Sequence, residues 1–460
     1  KKYIIAMDTT FAPFEFEDSQ GNRVGIDVEL LEAIAKDQGF EYEARAIGFD
    51  AALQAVESGQ ADGILAGCSI TEERQKKMDF STPYFDSGIS MAVSKDNDSI
   101  QSYEDLRGKK VAVKVGTEGA TLANKLSEQY GFSVVTFDDS ANMYEDVKLG
   151  NTAACFEDYP VLGYAISQDI GLKLVGEKEA GSSYGLGVKK GQNAELLQMF
   201  NDGLENVKAS GEYQRILDSY ISSGDGTAAN VESNEGVNFF TLLGTTFPRF
   251  VQAAGVTLWI TAVSLVFAVV LGLLFCALRL SKYKVLHAIT RVYLWVIRGT
   301  PVIVQAFMIY FGIPKLLGFT MPVEVASIIT LTLNAGAYLS EIFRSGIEAV
   351  DVGQMEAARS LGLPYMKTMQ KVILPQAARI VIPSVINQFI ITLKDSSILS
   401  VIGLAELTKV GKAIVAQNLE SFNTYLILAI YYLILVSLLT ALSAVVERRL
   451  RRGKLKGKGN

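Results

Sequence analysis

The chain has 460 residues and a net charge of −6 that hides a split: residues 1–240 hold 21 basic and 40 acidic side chains, residues 241–460 hold 22 and 9. One histidine (His287) and three scattered cysteines (Cys68, Cys155, Cys276) leave too few soft ligands for a zinc centre, offer no Cys-x-x-Cys redox pair and do not make a disulfide-stapled fold. The acidic half excludes a nucleic-acid surface there.

In chain order, residues 1–224 alternate short apolar strands with amphipathic helices. Strands are predicted at 3–7, 63–67, 89–93, 111–115 and 134–137, and a helix over 26–37 gathers Ile26, Leu30, Leu31 and Ile34 on one stripe. This βαβ rhythm predicts an α/β domain large enough for two lobes, lobe 1 at about 1–88 and 186–224 and lobe 2 at about 89–185. The segments 88–93 and 184–188 are read as the double crossover between them. A Ser-, Gly- and Asn-rich stretch makes 225–238 the linker to the second half of the chain. The chain opens at Lys1-Lys2-Tyr3 without a charged-then-apolar leader, which reads as a processed or truncated form.

In parallel α/β sheets ligands sit at the carboxyl ends of strands. Four loops there carry suggestive groups: Asp8-Thr9-Thr10-Phe11, Ala66-Gly67-Cys68-Ser69-Ile70-Thr71 with Arg74 one turn on, Lys114-Val115-Gly116-Thr117-Glu118, and Phe156-Glu157-Asp158-Tyr159. An Arg with free amides and hydroxyls suits a carboxylate, and an Asp suits an ammonium, which together is the chemistry of an α-amino acid. Each residue has an ordinary reading beside this one. Arg74 can be a surface residue at a helix start, Asp158 a helix N-cap, and some of Phe11, Phe14 and Phe49 plain core. Lys114 at a strand end stands out, because a cation there must meet something polar.

Residues 239–448 read as a membrane bundle. The 29 residues between Arg249 and Arg279 carry no charge, and neither do 421–446. Weaker candidates at 293–313, 325–340 and 380–393 bring the expected count to about five spans. Lys and Arg stay on the cytoplasmic side. Arg279, Lys282, Lys284 and Arg291, then Arg344, Arg359, Lys367, Lys371 and Arg379, lie on one side with the basic tail 449–460; Lys315, Lys409 and Lys412 lie on the other. The C-terminus is therefore expected inside and the α/β domain outside, with the tail acting as a stop-transfer anchor in the lipid bilayer.

With these residues assembled, 1–224 resembles the amino-acid-binding proteins of ATP-binding-cassette importers. The stretches that carry the resemblance are Asp8-Thr9-Thr10-Phe11-Ala12-Pro13-Phe14-Glu15-Phe16, Gly25-Ile26-Asp27-Val28-Glu29-Leu30, Ala66 through Arg74, and Asp79-Phe80-Ser81-Thr82-Pro83-Tyr84. The second half resembles the polar amino-acid permeases of the same importers through Glu356-Ala357-Ala358, Gly362 and Leu374-Pro375, close to that family's cytoplasmic coupling loop. The fold so implied is a two-lobed α/β periplasmic-binding-protein-like domain (type II) fused to an all-α transmembrane bundle (type I importer permease).

The resemblance implies that Arg74, helped by Ser69 and Thr117, holds the α-carboxylate. Asp158 and the Ala66-Gly67 backbone take the ammonium, and Phe11 and Phe49 sandwich the aliphatic part. Asp8 and Lys114 reach the side-chain end, as in glutamine binders, with asparagine and glutamate as alternatives. Glu356, Ala357, Ala358, Gly362, Leu374 and Pro375 would dock an ATPase subunit. No Gly-x4-Gly-Lys-Ser/Thr occurs, so this chain is expected to bind no cofactor and to leave ATP to its partner; five spans make half a pathway in the family it resembles, which implies a homodimer with two ATPases. Fusion of binder and permease resembles Gram-positive importers. A ligand-gated channel or receptor on the same clamp would need a filter such as Thr-Val-Gly-Tyr-Gly, which is absent, and an enzyme such as a dehydratase would leave the coupling loop idle.

Overall fold

A computed structural model describes residues 2–18, 20–221, 238–418 and 421–456. The linker read over 225–238 lies outside the described residues except for its last position, and so does the end of the basic tail.

Two five-stranded sheets form the α/β half. The first runs in the order Glu41–Ala46, Lys2–Met7, Gly63–Ile64, Gly187–Lys189, Met78–Phe80. Its first three strands are parallel and Gly187–Lys189 is antiparallel to both neighbours. The second sheet runs Leu172–Tyr184, Phe85–Ser94, Ala154–Asp158, Lys110–Lys114, Ser133–Phe137. Its last three strands are parallel, and Phe85–Ser94 is antiparallel to both of its neighbours. The chain thus leaves the first sheet after Phe80 and returns between Tyr184 and Gly187, so residues 88–93 lie inside a strand of the second sheet and not at the crossover. Alternation in Gly88–Val93 is compatible with either place; the pairing with Leu172–Tyr184 decides it.

Local chemistry sets the elements. Helix Ile26–Gln38 buries Ile26, Leu30, Leu31 and Ile34 and stops where Gly39 turns left-handed, its N–H donating to Ala35 O. Just before that helix, Gly25 has φ 130° and passes so close to Phe14 that a methyl group would collide with the Phe14 carbonyl oxygen.

The membrane half is helical. Helices Phe239–Leu280, Val323–Glu348, Tyr365–Ile402 and Ser421–Leu442 are each long and apolar enough to cross a bilayer. The span expected at 293–313 is broken, and four or five spans result according to whether the bent pair is counted as one. Helices Lys284–Gly299 and Val302–Leu317 meet at a 108° bend. Pro301 causes it: Pro lacks an N–H and pushes Thr300 into extended backbone, φ −119°, ψ 144°. The carbonyls freed at the bend are met by Gln305, whose Nε2 donates to Ile297 O at 2.7 Å and Thr300 O at 3.0 Å.

The other interior helices run past the charges that bounded them in sequence. Val323–Glu348 continues through Glu341, Arg344 and Glu348, because Glu341 pairs with Arg279 and with Arg344, and Arg344 with Glu348. Small residues let helices Phe239–Leu280 and Val323–Glu348 touch. A Cβ on Gly272 would stand 2.9 Å from Leu339 Cβ, and one on Gly336 3.0 Å from Leu271 Cδ2. Thr257 and Ser264 satisfy their hydroxyls within the helix, on Ala253 O at 3.0 Å and Ile260 O at 2.7 Å.

Gly25→Ala adds both a strained φ and a clash with a backbone atom that cannot rotate away. It is expected to destabilise the α/β half by more than about 1 kcal/mol, seen as a melting midpoint several degrees below that of the unmodified chain.

Candidate functional site

The carboxyl ends of strands from both sheets face each other across one cleft. Asp8 directly follows Lys2–Met7, Lys114 ends Lys110–Lys114, and Asp158 ends Ala154–Asp158. Lys114 Nζ donates to Asp8 Oδ2, and both side chains are 1% exposed. Lys114 also stands 5.2 Å from the Phe11 ring centroid. Burial alone would depress the Lys114 ammonium, yet the carboxylates of Asp8 and Glu157 outweigh it and hold it above its ordinary value.

Arg74 is the second bridge between the lobes. Its Nη1 donates to Ser69 O at 2.8 Å, its Nη2 to Gly116 O of the other lobe at 2.9 Å, and its guanidinium carbon lies 5.1 Å from the Phe49 ring centroid. Short helix Glu72–Gln75 presents it, capped by Thr71. Arg74 is therefore aimed across the cleft. With five donors and two backbone carbonyls, it keeps N–H groups for an anion.

Asp158 departs from the capping alternative. It precedes helix Tyr159–Ser167 without any side-chain cap bond, and its Oδ2 accepts instead from Tyr184 OH. Burial first, and Glu157 next, push its carboxyl up to about 8. Thr117 has the reverse fate. Its hydroxyl donates to Lys114 O at 2.7 Å and accepts from Ala120 N at 3.2 Å, so it caps helix Glu118–Tyr130. The Gly67 N–H is likewise committed, donating to Asp27 Oδ2 at 2.8 Å, while its φ of 50° brings the backbone against the Phe11 ring.

Three further groups line this region without having stood out in the sequence. Ser140 Oγ donates to Glu157 Oε2 at 2.8 Å, Ser182 Oγ to Glu118 Oε1 at 2.9 Å, and Tyr84 OH to Asp27 Oδ2 at 2.9 Å. Glu15 lies fully buried beside Asp27. Burial first, and the Asp27 and Asp8 carboxylates next, hold it well above the carboxylate range, and burial pushes Asp27 up to about 6. The available signal was a carboxyl set between apolar neighbours, Phe14-Glu15-Phe16 and Ile26-Asp27-Val28.

A second candidate surface follows the C-terminal end of helix Val323–Glu348, whose 26 residues extend about 39 Å at 1.5 Å per residue. Helix Val352–Ser360 starts on Asp351, whose Oδ1 accepts from Gly353 N at 2.7 Å. Glu356 and Ala357 face solvent, Ala358 is buried, and Gly362 turns at φ 83°. Leu374 and Pro375 open the next helix, Leu374–Asp395, after a π-helical turn at Met369–Ile373. Val352, Leu361 and Met366 are 70%, 84% and 63% exposed, an apolar surface on the same segment.

Residues 3–223 match the family described as bacterial extracellular solute-binding proteins, family 3, and residues 264–452 match the binding-protein-dependent transport system inner membrane component. The arginine transport system permease protein of Bacillus subtilis is 37% identical over 204 residues, 44% of this chain and 93% of that protein. The glutamine transport system permease protein of Escherichia coli K12 is 36% identical over 205 residues, 44% of this chain and 94% of that protein. Among solved structures, an ancestral arginine-binding protein bound to glutamine is 40% identical, with TM-score 0.45, over 47% of this chain and 96% of that one. Substrate binding domain 2 of Lactococcus lactis GlnP in open conformation is 43% identical, with TM-score 0.38, over 48% and 96%.

A group whose carboxyl pKa is raised by folding stabilises the fold below its unfolded value, and that contribution is lost as pH rises through the folded value. For Asp158 the window runs from about 4 to about 8. The ligand-free chain is expected to lose stability across it, and Asp158→Asn should flatten the slope by up to about 1.4 kcal/mol per pH unit. Melting midpoints of both proteins at pH 5, 6, 7 and 8 check this; parallel curves would contradict the placement of Asp158.

Proposed function

Because the chain belongs to the inner-membrane components of binding-protein-dependent transport systems and carries a family 3 solute-binding domain ahead of its membrane bundle, we propose that it captures glutamine outside the cell and passes it through that bundle. The observation that carries this reading is the placement of Arg74, Asp158 and the Asp8–Lys114 pair around one cleft. Arg74 offers a planar fork to an α-carboxylate. Asp158 offers a carboxylate to an α-ammonium, whose arrival would draw its proton off. Phe11 and Phe49 stand beside the two cations and wall the aliphatic part.

The side-chain end selects by charge balance. Asp8 and Lys114 already neutralise each other, so a third full charge there would be buried without a partner. A terminal amide avoids this: its NH2 donates to Asp8 while its carbonyl accepts from Lys114. Asparagine carries the same amide on a side chain one methylene shorter and is the alternative that titration must separate, and glutamate brings the unpaired charge unless it is protonated. Arginine would set a guanidinium against the Lys114 ammonium.

Transport then follows from the fusion. A tethered binding domain meets its permease at an effective concentration in roughly the millimolar range, so weak docking suffices. Two copies of the bundle form the pathway. A separate ATPase binds the exposed Val352–Ser360 segment, with Glu356 at its centre, and drives the switch from outward to inward facing. The α/β domain lies outside and the basic ends of the helices inside.

Calorimetric titration with the twenty amino acids is expected to show binding of glutamine. Arg74→Ala should weaken it at least a hundredfold, in line with the loss of a charge-assisted pair. Equal binding by wild type and Arg74→Ala would overturn the placement. Glu356→Lys is expected to leave binding intact and to abolish ATP-driven uptake in proteoliposomes; retained uptake would remove this segment from coupling.

A further inference from the structure

The two lobes meet the membrane bundle very differently. Lobe 1 shares one hydrophobic cluster with it, in which Ile47, Ala55 and Ala61 of the α/β half pack with Tyr310, Ile402 and Leu404 of the bundle. Polar contacts reinforce this joint. Gln60, fully buried, donates from Nε2 to Tyr310 O at 2.9 Å and accepts at Oε1 from Met321 N at 2.7 Å. Lys409 Nζ donates to Ala46 O and Gly403 O, and Arg249 pairs with Glu17. Ile47 fills the space where Gly403, at φ 95°, has no side chain.

Lobe 2 has its own clusters, made wholly of residues between Ile89 and Val175. It reaches the bundle where its helix Ser140–Lys148 lies against helix Leu407–Asn418, and there Tyr425 OH donates to Asn142 Oδ1 at 3.2 Å. Beside it an open cleft of about 430 Å³ separates Asp138, Asp139, Glu145 and Asp146 of lobe 2 from Lys412 of the bundle. Opposite charges face each other there, and among the described residues no ion pair joins the two sides.

We propose that lobe 1 is the fixed docking element and lobe 2 the moving one: the cleft opens and closes by lobe 2 swinging over the acidic gap at Lys412, while lobe 1 stays clamped to its own bundle. This rests on the transporter reading. The swing must break Asp8–Lys114 and Arg74–Gly116 and shift Val161 and Tyr164 against lobe 1, and it leaves the lobe 1 contacts with the bundle named above in place. Loop 46–49 sits at the junction, with Ala46 and Ile47 on the bundle and Phe49 against Arg74 in the cleft. Release of the amino acid therefore needs no undocking.

Single cysteines placed at Ile47 or Asn142 of the full chain in lipid nanodiscs test this with a polar maleimide. The native Cys68, Cys155 and Cys276 are buried and give a low background, and their reactivity reports any loss of fold. Without added amino acid, the cysteine at 47 should label at least tenfold slower than the one at 142. Gly403→Ala, whose methyl group would stand 2.9 Å from the Cβ that residue 47 keeps as cysteine, should raise the rate at 47 about tenfold and leave 142 within twofold; Gln60→Ala should act in the same direction. Equal rates at 47 and 142, or no effect of either undocking substitution, would overturn the clamp. Added L-glutamine should change the rate at 142 only, and a change at 47 would overturn the fixed role of lobe 1. The contrast without amino acid decides the clamp whether or not glutamine is the substrate, which calorimetry decides separately.

Discussion

A lysine ammonium removed from water is tolerated only against a carboxylate, and Lys114 meets that condition through Asp8, a residue of the opposite sheet. Leaving either charge alone in the interior costs several kcal/mol, so the pair draws the two lobes together. Arg74 adds a second link, to Gly116 O. The closed cleft is thus organised by charges whose partners lie across it, and its polar groups converge because their strands end there.

The same cleft holds more carboxyl groups than cations. Glu157, Asp158 and Glu118 lie with Asp8 against Arg74 and Lys114, and burial raises the carboxyls of Glu157 and Asp158. Protons make up the difference. Behind them Asp27 fixes the Gly67 backbone by accepting from its N–H, and Glu15 is buried beside it with its carboxyl held well above the ordinary range. This layer explains why residues that touch no ligand position are still polar and buried. Asp27 holds the Gly67 loop through that N–H and accepts from Tyr84 OH.

Parts of this arrangement were legible in the sequence for simple reasons. Periodicity of 2 and 3.6 residues marked the strands and helices, and uncharged runs marked the first and last spans. The middle of the bundle was harder. The bend at Thr300-Pro301 splits a run that looks continuous by hydropathy, while Glu341 and Arg344 look like a boundary and are internal because they pair. Asp158 before Tyr159-Pro160 reads as an N-cap, and only Tyr184, from a distant strand, shows where its side chain goes. Thr117 reads as a ligand group, yet its hydroxyl caps a helix.

Whatever depends on neighbours along the chain could be read from residue order: an acidic α/β half, an apolar helical half, the turn residues and the motifs that carry the family resemblance. Residue order also showed that Lys114 needed a polar partner. Which partner it found is a matter of the folded chain, because Asp8 lies 106 residues away and on another sheet. The same holds for the seat of lobe 1 on the bundle through Gln60, Ile47 and Lys409, contacts between groups as far as 363 residues apart. Burial and ion pairing act through space, and the order of residues does not record them.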